Sequence, residues 1–280
     1  MPSKVKMKEL LETGVHFGHR TTKWNPKMRE FIFTSRNGIH IIDLQQTLAN
    51  LNAYYDMIRD LAANGKTVLF VGTKRQAQEI ISKEAARCAM PYVNLRWLPG
   101  TLTNWRTIKA RIETLKKLEK QKAAGEWAKL TKKEALINER KIEKLAERLG
   151  GLRDMKTLPQ LVIVVDTDRE MTAVAEANSL RIPVLGIVDT NSNPDVVDYI
   201  IPANDDAMRS LRLLVSALAD AAEEGRQMRH KDAPVTTEDD EGDKENAGRY
   251  YEDDASDEEL LGEQTLRKLR NSKFSMDEES

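Results

Sequence analysis

Short runs of consecutive apolar residues alternate along this chain with stretches whose apolar positions recur every three or four. The clearest run is Thr67-Val68-Leu69-Phe70-Val71-Gly72-Thr73-Lys74. Four apolar residues in a row, mostly β-branched or aromatic, suit a strand buried on both faces of a parallel sheet. Gly72 stops that strand, and Thr73 with Gln76 predicts a capping box opening a helix from about Arg75 to Cys88. The format repeats at Tyr92-Val93-Asn94-Leu95, Leu161-Val162-Ile163-Val164-Val165 and Val184-Leu185-Gly186-Ile187-Val188, with a shorter run at Tyr199-Ile200-Ile201. Helical patterns separate most of them. The fold class is therefore α/β, an open parallel five-stranded sheet with helices on both faces.

Other elements are set around this series. Lys4, Lys6 and Lys8 precede a short amphipathic pattern ending at Glu12, and residues 14–29 mix glycines, cations and aromatic rings without period, as in an ordered loop. Phe31 to Thr34 and Ile39 to Ile42 flank Asn37-Gly38, a strong two-residue hairpin signal, with Arg36 at the turn. Asp43 with Gln46 opens a helix whose Leu44, Leu48, Leu51, Tyr55, Ile58 and Leu61 share one face, closed by Asn64-Gly65. Between residues 103 and 150 the alternation stops. Trp105, Ile108, Ile112 and Leu115 make one apolar seam and Ala135, Ile142, Leu145 and Leu149 another, with Gly125 between them and a Thr131/Glu134 capping box. Narrow seams on two neighbouring helices predict an antiparallel coiled-coil hairpin, inserted between strands two and three and held mainly by its own contacts. After strand three, Thr167 with Glu170 predicts another capping box, with Asp168 in a first helical turn. Asn193-Pro194 and Asn204-Asp205-Asp206 open further helices, and the last runs to about Glu224 with Ala207, Leu211, Leu214, Val215 and Leu218 inward. The expected division is a core of residues 1–102 and 151–225, an insertion of 103–150, and a tail of 226–280.

The charge changes this picture more than the length does. The formal net charge is −1. Yet Lys231 to Ser280 holds 17 acidic and 7 basic residues, net −10, leaving 37 basic and 28 acidic in Met1 to His230, net +9. A basic body points towards nucleic acid, and an acidic segment poor in apolar residues is expected to be disordered, with only Leu260-Leu261 and Leu266 to Leu269 hinting at a transient helix. Arg96 to Lys156 alone carries 17 basic and 8 acidic residues. No apolar run approaches the ~20 residues of a membrane span, and no signal-peptide pattern is visible. The single cysteine, Cys88, excludes a disulfide framework and a cysteine-rich zinc site, and is expected to be a small buried hydrophobe.

Candidate chemistry follows from residue types at the strand ends. The chain has no G-x-G-x-x-G and no G-x-x-x-x-G-K-[ST]; Gly72-Thr73-Lys74 has too few glycines to wrap a pyrophosphate. Strand two ends at Asn94 and Arg96, so the acidic ribose ligand of a dinucleotide site is missing. Asp166, Asp168 and Asp189 lie where such sheets hold ligands, and paired carboxylates there can hold Mg²⁺ for phosphoryl transfer. No nucleophile-base pair accompanies them. His16 and His19 form H-x-x-H, and with Asp189, Asp205 or Asp206 they are the residues that a zinc site would use; no metal and no other cofactor is expected. The nucleic-acid reading draws on more of the chain. Lys23, Lys27, Arg29, Arg36, Lys74, Arg75, Arg96, Arg106 and Lys109, with Thr103 and Asn104, fall in loops or helix starts beside Trp24, Trp97 and Trp105. Arginine forks grip phosphates and exposed rings stack on unpaired bases, although each Trp considered singly is more often core.

Several of these stretches resemble one known family. Gly14-Val15-His16-Phe17-Gly18-His19, Lys23-Trp24-Asn25-Pro26-Lys27-Met28, Asn37-Gly38-Ile39-His40-Ile41-Ile42-Asp43-Leu44, Val71-Gly72-Thr73-Lys74 and Arg96-Trp97-Leu98-Pro99-Gly100-Thr101-Leu102-Thr103-Asn104 stand in the order seen in the bacterial ribosomal protein S-two family. The resemblance covers roughly Met1 to Gly225. It implies a flavodoxin-like sheet with a coiled-coil insertion. It also implies a non-catalytic place on 16S ribosomal RNA in the small (30S) subunit, in the cytoplasm, and support for docking of ribosomal protein S-one. No small-molecule substrate and no membrane are implied. The alternative is a phosphoryl- or nucleotide-handling enzyme on the same sheet. The acidic tail is not part of the shared pattern.

Overall fold

The computed structural model describes residues 5–232. All expectations about the acidic tail beyond residue 232 lie outside the described residues.

Five strands form the central sheet: β4 (Val68–Val71), β5 (Tyr92–Val93), β6 (Leu161–Val165), β7 (Val184–Val188) and β8 (Tyr199–Pro202). All pair in parallel, in the order β5-β4-β6-β7-β8. Counted along the sheet strands this is 2-1-3-4-5, the flavodoxin-like order, with its topological switch between β4 and β6. Alternation decides the two faces. Val68 and Phe70 point into one core with Leu161, Ile163, Leu185 and Ile201, whereas Leu69 and Val71 point into the other with Val162, Val164 and Val184. Both faces are covered, so the strands read as unbroken apolar runs.

The first face is covered by α1 (Met7–Glu12), α2 (Leu44–Ala63), α3 (Gln78–Arg87) and α7 (Met208–Asp232). Asp43 caps α2 by accepting from Gln45 N–H, as its position predicts. Cys88 lies in this core, and burial pushes its thiol up to about 11, consistent with an inert apolar role. The helix α7 runs eight residues past its expected end at Glu224. The second face is covered by α6 (Met171–Ser179), a short 3₁₀ segment at Pro26–Phe31, and the bases of α4 (Trp105–Ala123) and α5 (Lys132–Leu149). The Thr131/Glu134 capping box opens α5 as expected.

The N-terminal stretch expected to be a loop is partly sheet. β1 (Phe17–Arg20) joins β2 (Ile32–Arg36) and β3 (Ile39–Ile42) in a second, antiparallel sheet of order β1-β3-β2. Its Gly and His residues hide the strand signal, because it is held by pairing with β3 and by bonds to the large sheet. At the predicted hairpin, Asn37 and Gly38 have φ of 52° and 74°, the paired positive values of a type I′ turn.

Two predicted caps are not formed. α3 begins at Gln78 rather than near Arg75, with Ala77 at its N-cap and Thr73 engaged elsewhere. α6 begins at Met171 without a side-chain cap, and the Thr167 hydroxyl is buried without a partner. In both places a tertiary partner for Thr73 and Glu170 wins over the local cap.

Candidate nucleic-acid interface

The loops that leave the carboxyl ends of β4, β6, β7 and β8 meet at the switch point, where flavodoxin-like proteins hold an anionic ligand. Here the space is taken by the protein's own side chains. The Lys74 ammonium lies 2.7 Å from Asp205 Oδ1, 2.6 Å from Asp206 Oδ1 and 3.3 Å from Asp166 Oδ2. Burial alone would lower Lys74, but the bonds and charges of Asp205, Asp206 and Asp166 hold it above the ordinary lysine value. Glu170 accepts from Thr73 N–H at 2.9 Å and from its hydroxyl, while Arg169 Nε donates to that hydroxyl oxygen at 3.2 Å. Burial raises Glu170 and the Thr73 bonds oppose it. Gly72 is glycine because packing is tight, not because a phosphate approaches: a Cβ there would sit 2.4 Å from Ile81 Cδ1 and 3.1 Å from Val165 Cβ.

This cluster carries Asp166, Glu170, Asp189, Asp205 and Asp206 against Lys74, Arg169 and His19, and is therefore hostile to a phosphate. It corrects one sequence expectation. Lys74 is buried and held by three carboxylates, so its ammonium is not free to meet RNA. The Mg²⁺ trio is not assembled either. Asp168 is exposed, Asp166 pairs with Lys74 and accepts from Arg169 N–H, and Asp189 contacts His19.

Among the described residues, the set with ligand atoms close enough for one ion is His19, Asp205 and Asp206. His19 Nδ1 lies 3.1 Å from Asp189 Oδ1 and Nε2 lies 3.4 Å from Asp206 Oδ2. The Asp189 bond raises His19 above its ordinary value although burial opposes it. His16 is not in the set. Positions three apart along an extended chain face opposite ways, and the His16 ring instead stacks on Phe17 with centroids 4.1 Å apart. The three side chains could supply an imidazole nitrogen and two carboxylate oxygens, with Lys74 competing for the same carboxylates.

The remaining candidate cations lie on the N-terminal sheet and its loops, after β4 and β5 and at the start of α4, and the N-terminal sheet meets this same carboxyl edge. The N-terminal sheet is fastened there: His19 N–H donates to Thr190 Oγ1 at 2.8 Å, Asn25 N–H to Thr190 O at 2.8 Å, and Asn204 N–H to Val15 O at 3.0 Å. Lys23, Trp24, Lys27, Arg29 and Arg36 are exposed on it, Lys27 in an ion pair with Asp195. The Trp24 ring is 37% exposed and tilts against His40, so one face is available. Arg75 follows β4 and Arg96 follows β5; Thr103, Asn104, Arg106 and Lys109 lie at the start of α4, all exposed. Trp97 is the second correction. It is 7% exposed, packs in the second core, and donates its indole N–H to Glu176 Oε1 at 3.0 Å, so it is no stacking platform.

Glu176 is not among the candidates that the sequence marks. Its carboxylate also accepts from the N–H groups of Gly100 (2.8 Å), Leu102 (2.9 Å) and Thr103 (3.2 Å) and from the Thr103 hydroxyl (3.2 Å). The available signal was a lone carboxylate on the apolar face of α6, one turn from Ala173 and beside Ala177.

Comparison with known proteins places this architecture. The family model described as ribosomal protein S2 matches residues 10–225. The chain is 53% identical over 227 residues to the small ribosomal subunit protein uS2 of Petrotoga mobilis, spanning 81% of this chain and 79% of the relative. The match starts in α1, includes the insertion, and ends in α7. On this match over most of its length, the chain belongs to the ribosomal protein S2 family, structural and non-enzymatic components of the small ribosomal subunit.

Proposed function

We propose that the protein is a 16S ribosomal RNA-binding scaffold that grips phosphates with the exposed cations of the sheet's carboxyl edge. One observation carries this reading. The crevice that an enzyme of this fold would use is acidic and internally paired, while Lys23, Arg29, Arg36, Arg75, Arg96, Arg106 and Lys109 are exposed. Arginine forks at loop ends suit phosphates held in fixed register, and the Trp24 ring can meet an unpaired base. Ribosome-bound work in the cytoplasm follows from this role, and family membership supports docking of ribosomal protein S-one on the assembled subunit. The distal turns of the two-helix insertion α4/α5 are proposed to project from the core as a coiled-coil arm, its surface rich in cations.

The test is a titration of the full chain against a 16S ribosomal RNA transcript at several salt concentrations. Affinity should fall steeply with salt, because each neutralised phosphate releases counterions. Arg96→Ala or Arg106→Ala should each cost about 1–3 kcal/mol where the guanidinium is bidentate. A salt-insensitive affinity, or no loss in either variant, refutes the phosphate-gripping surface. For S-one, subunits assembled with and without this protein should differ in S-one retention.

A further inference from the structure

We propose that Glu176 is a positioning residue of the RNA-binding edge: its carboxylate folds the 97–103 loop into the shape that presents Arg96, Asn104 and Arg106. The inference rests on the RNA-binding reading above and names a residue that makes no contact with RNA itself.

The geometry is unusual for a glutamate. Glu176 sits on the inward face of α6, and a buried carboxylate is costly unless it is hydrogen-bonded. Its five donors all come from one distant segment, through Trp97, Gly100, Leu102 and Thr103. That fills the roughly four acceptor sites of a carboxylate. Gly100 has φ of 87°, and Thr101 N–H and Asn104 N–H close turns onto Leu98 O and Gly100 O. These turns aim successive backbone N–H groups at one point, the arrangement that elsewhere makes an anion-binding nest. Here the anion is built into the chain. The nest is therefore closed to a phosphate, and the loop serves the interface by what it holds outward.

The outward groups bracket the nest. Arg96 immediately precedes Trp97, Asn104 immediately follows Thr103, and Arg106 lies in the first turn of α4. Burial on its own would raise Glu176, but the Trp97, Leu102, Gly100 and Thr103 bonds outweigh it and hold the carboxyl below its ordinary value. The charge is thus present under working conditions. Trp97 and Leu102 are also buried in the second core, and that anchorage does not depend on the carboxylate. Removing the charge should free the loop while sparing the fold.

Glu176→Gln in the full chain tests this. Glutamine keeps one acceptor oxygen but turns an NH₂ towards the Leu102 and Thr103 N–H groups. Amide exchange at Gly100, Leu102 and Thr103 should quicken by about tenfold or more, with β6 and β7 unchanged. Affinity for the 16S transcript should fall about three- to tenfold, with the salt slope reduced by about one phosphate contact. Trp97→Phe, which keeps the ring and removes the indole donor, should move both readouts the same way by less, and serves if the glutamine variant folds poorly. Quickened exchange with unchanged affinity overturns the positioning role. So does weaker binding with an unaltered salt slope accompanied by general loss of protection, which is mere destabilisation. Arg106→Ala is run alongside: if it too leaves affinity unchanged, the failure belongs to the RNA-binding reading and not to Glu176 alone.

Discussion

Asp205 has no exposed surface, and a single lysine ammonium serves it together with Asp206 and Asp166, with Asp189 close by. Lys74 is the cation paired with Asp205, while His19 and Arg169 engage other members of the cluster, so burial and the neighbouring carboxylates favour a neutral Asp205. Burial, then the charges of Asp189 and Asp166, push Asp205 up to about 7 against the pull of Lys74. A carboxyl whose folded value lies above its unfolded value of 3.8 favours the folded state fully below that value, and the benefit is lost as pH rises towards about 7. His19 acts in the same direction, being raised by Asp189: its contribution is full below 6.5 and fades as pH climbs through the folded value. Wild type should therefore lose stability between about pH 5 and about pH 8. In Asp205→Asn, which cannot titrate, the loss should be smaller. Urea midpoints at the two pH values check this, and equal losses would rule out Asp205 as the proton's seat.

Among the elements, the insertion departs most from the picture of a freestanding arm. Ile108, Ile112 and Leu149 are buried in the same core as Met28, Leu69, Val71 and Val162, and Trp105 and Leu145 pack against it. Farther out the seam thins. Ala135 and Ile142 are half-buried, Leu136 and Ile137 are exposed, the helices are tied by the exposed Lys122–Glu139 ion pair, and Arg153 beyond α5 pairs with Glu119. Exposed pairs of this kind contribute little, about 0–1 kcal/mol each. The base of α4 and α5 is therefore part of the core, and only the distal turns can be removed without harm. Ile112→Ala should destabilise the whole unit by about 2–5 kcal/mol. Replacing residues 117–140 by a short loop should leave one cooperative transition near the wild-type midpoint. A large loss of stability in the trimmed chain would place the outer seam in the core as well.

For the whole molecule, charge separates inside from outside. The switch-point crevice is acidic and internally paired, whereas the exposed candidate cations lie outside it; on the proposed reading a phosphate backbone is drawn to those cations and kept from the crevice. Among the described residues no helix is long and apolar enough to cross a membrane. Retention on small subunits should then be an ionic-strength effect: the protein co-sediments at low salt and is stripped progressively by washes of rising salt. Sedimentation followed by blotting for the protein measures this. Unchanged retention across washes that remove other phosphate-bound proteins would point to apolar contacts instead.

The five strands of the large sheet, the hairpin turn and the cap of α5 are all legible in the local sequence. Each is specified locally: an unbroken apolar run needs two covered faces, Asn37-Gly38 has the residues that tolerate positive φ, and Thr131 with Glu134 closes its own backbone donors. The strings around His16, Trp24 and Arg96 also carried the family, and with it the role. Which charges are free depends on how the folded chain brings distant segments together. Lys74 reads as one more loop cation until the chain brings Asp166, Asp205 and Asp206, more than ninety residues away, onto its ammonium. Thr73 and Glu170 each look like helix caps, yet they bond each other across the switch point, since one strong buried pair satisfies both better than two exposed turns. Glu176 and its loop are 73 to 79 residues apart, and no local pattern announces a carboxylate whose donors arrive from another strand's end. Local propensity and periodicity fix what each segment becomes; burial and long-range charge pairing fix which of its side chains remain available to a partner.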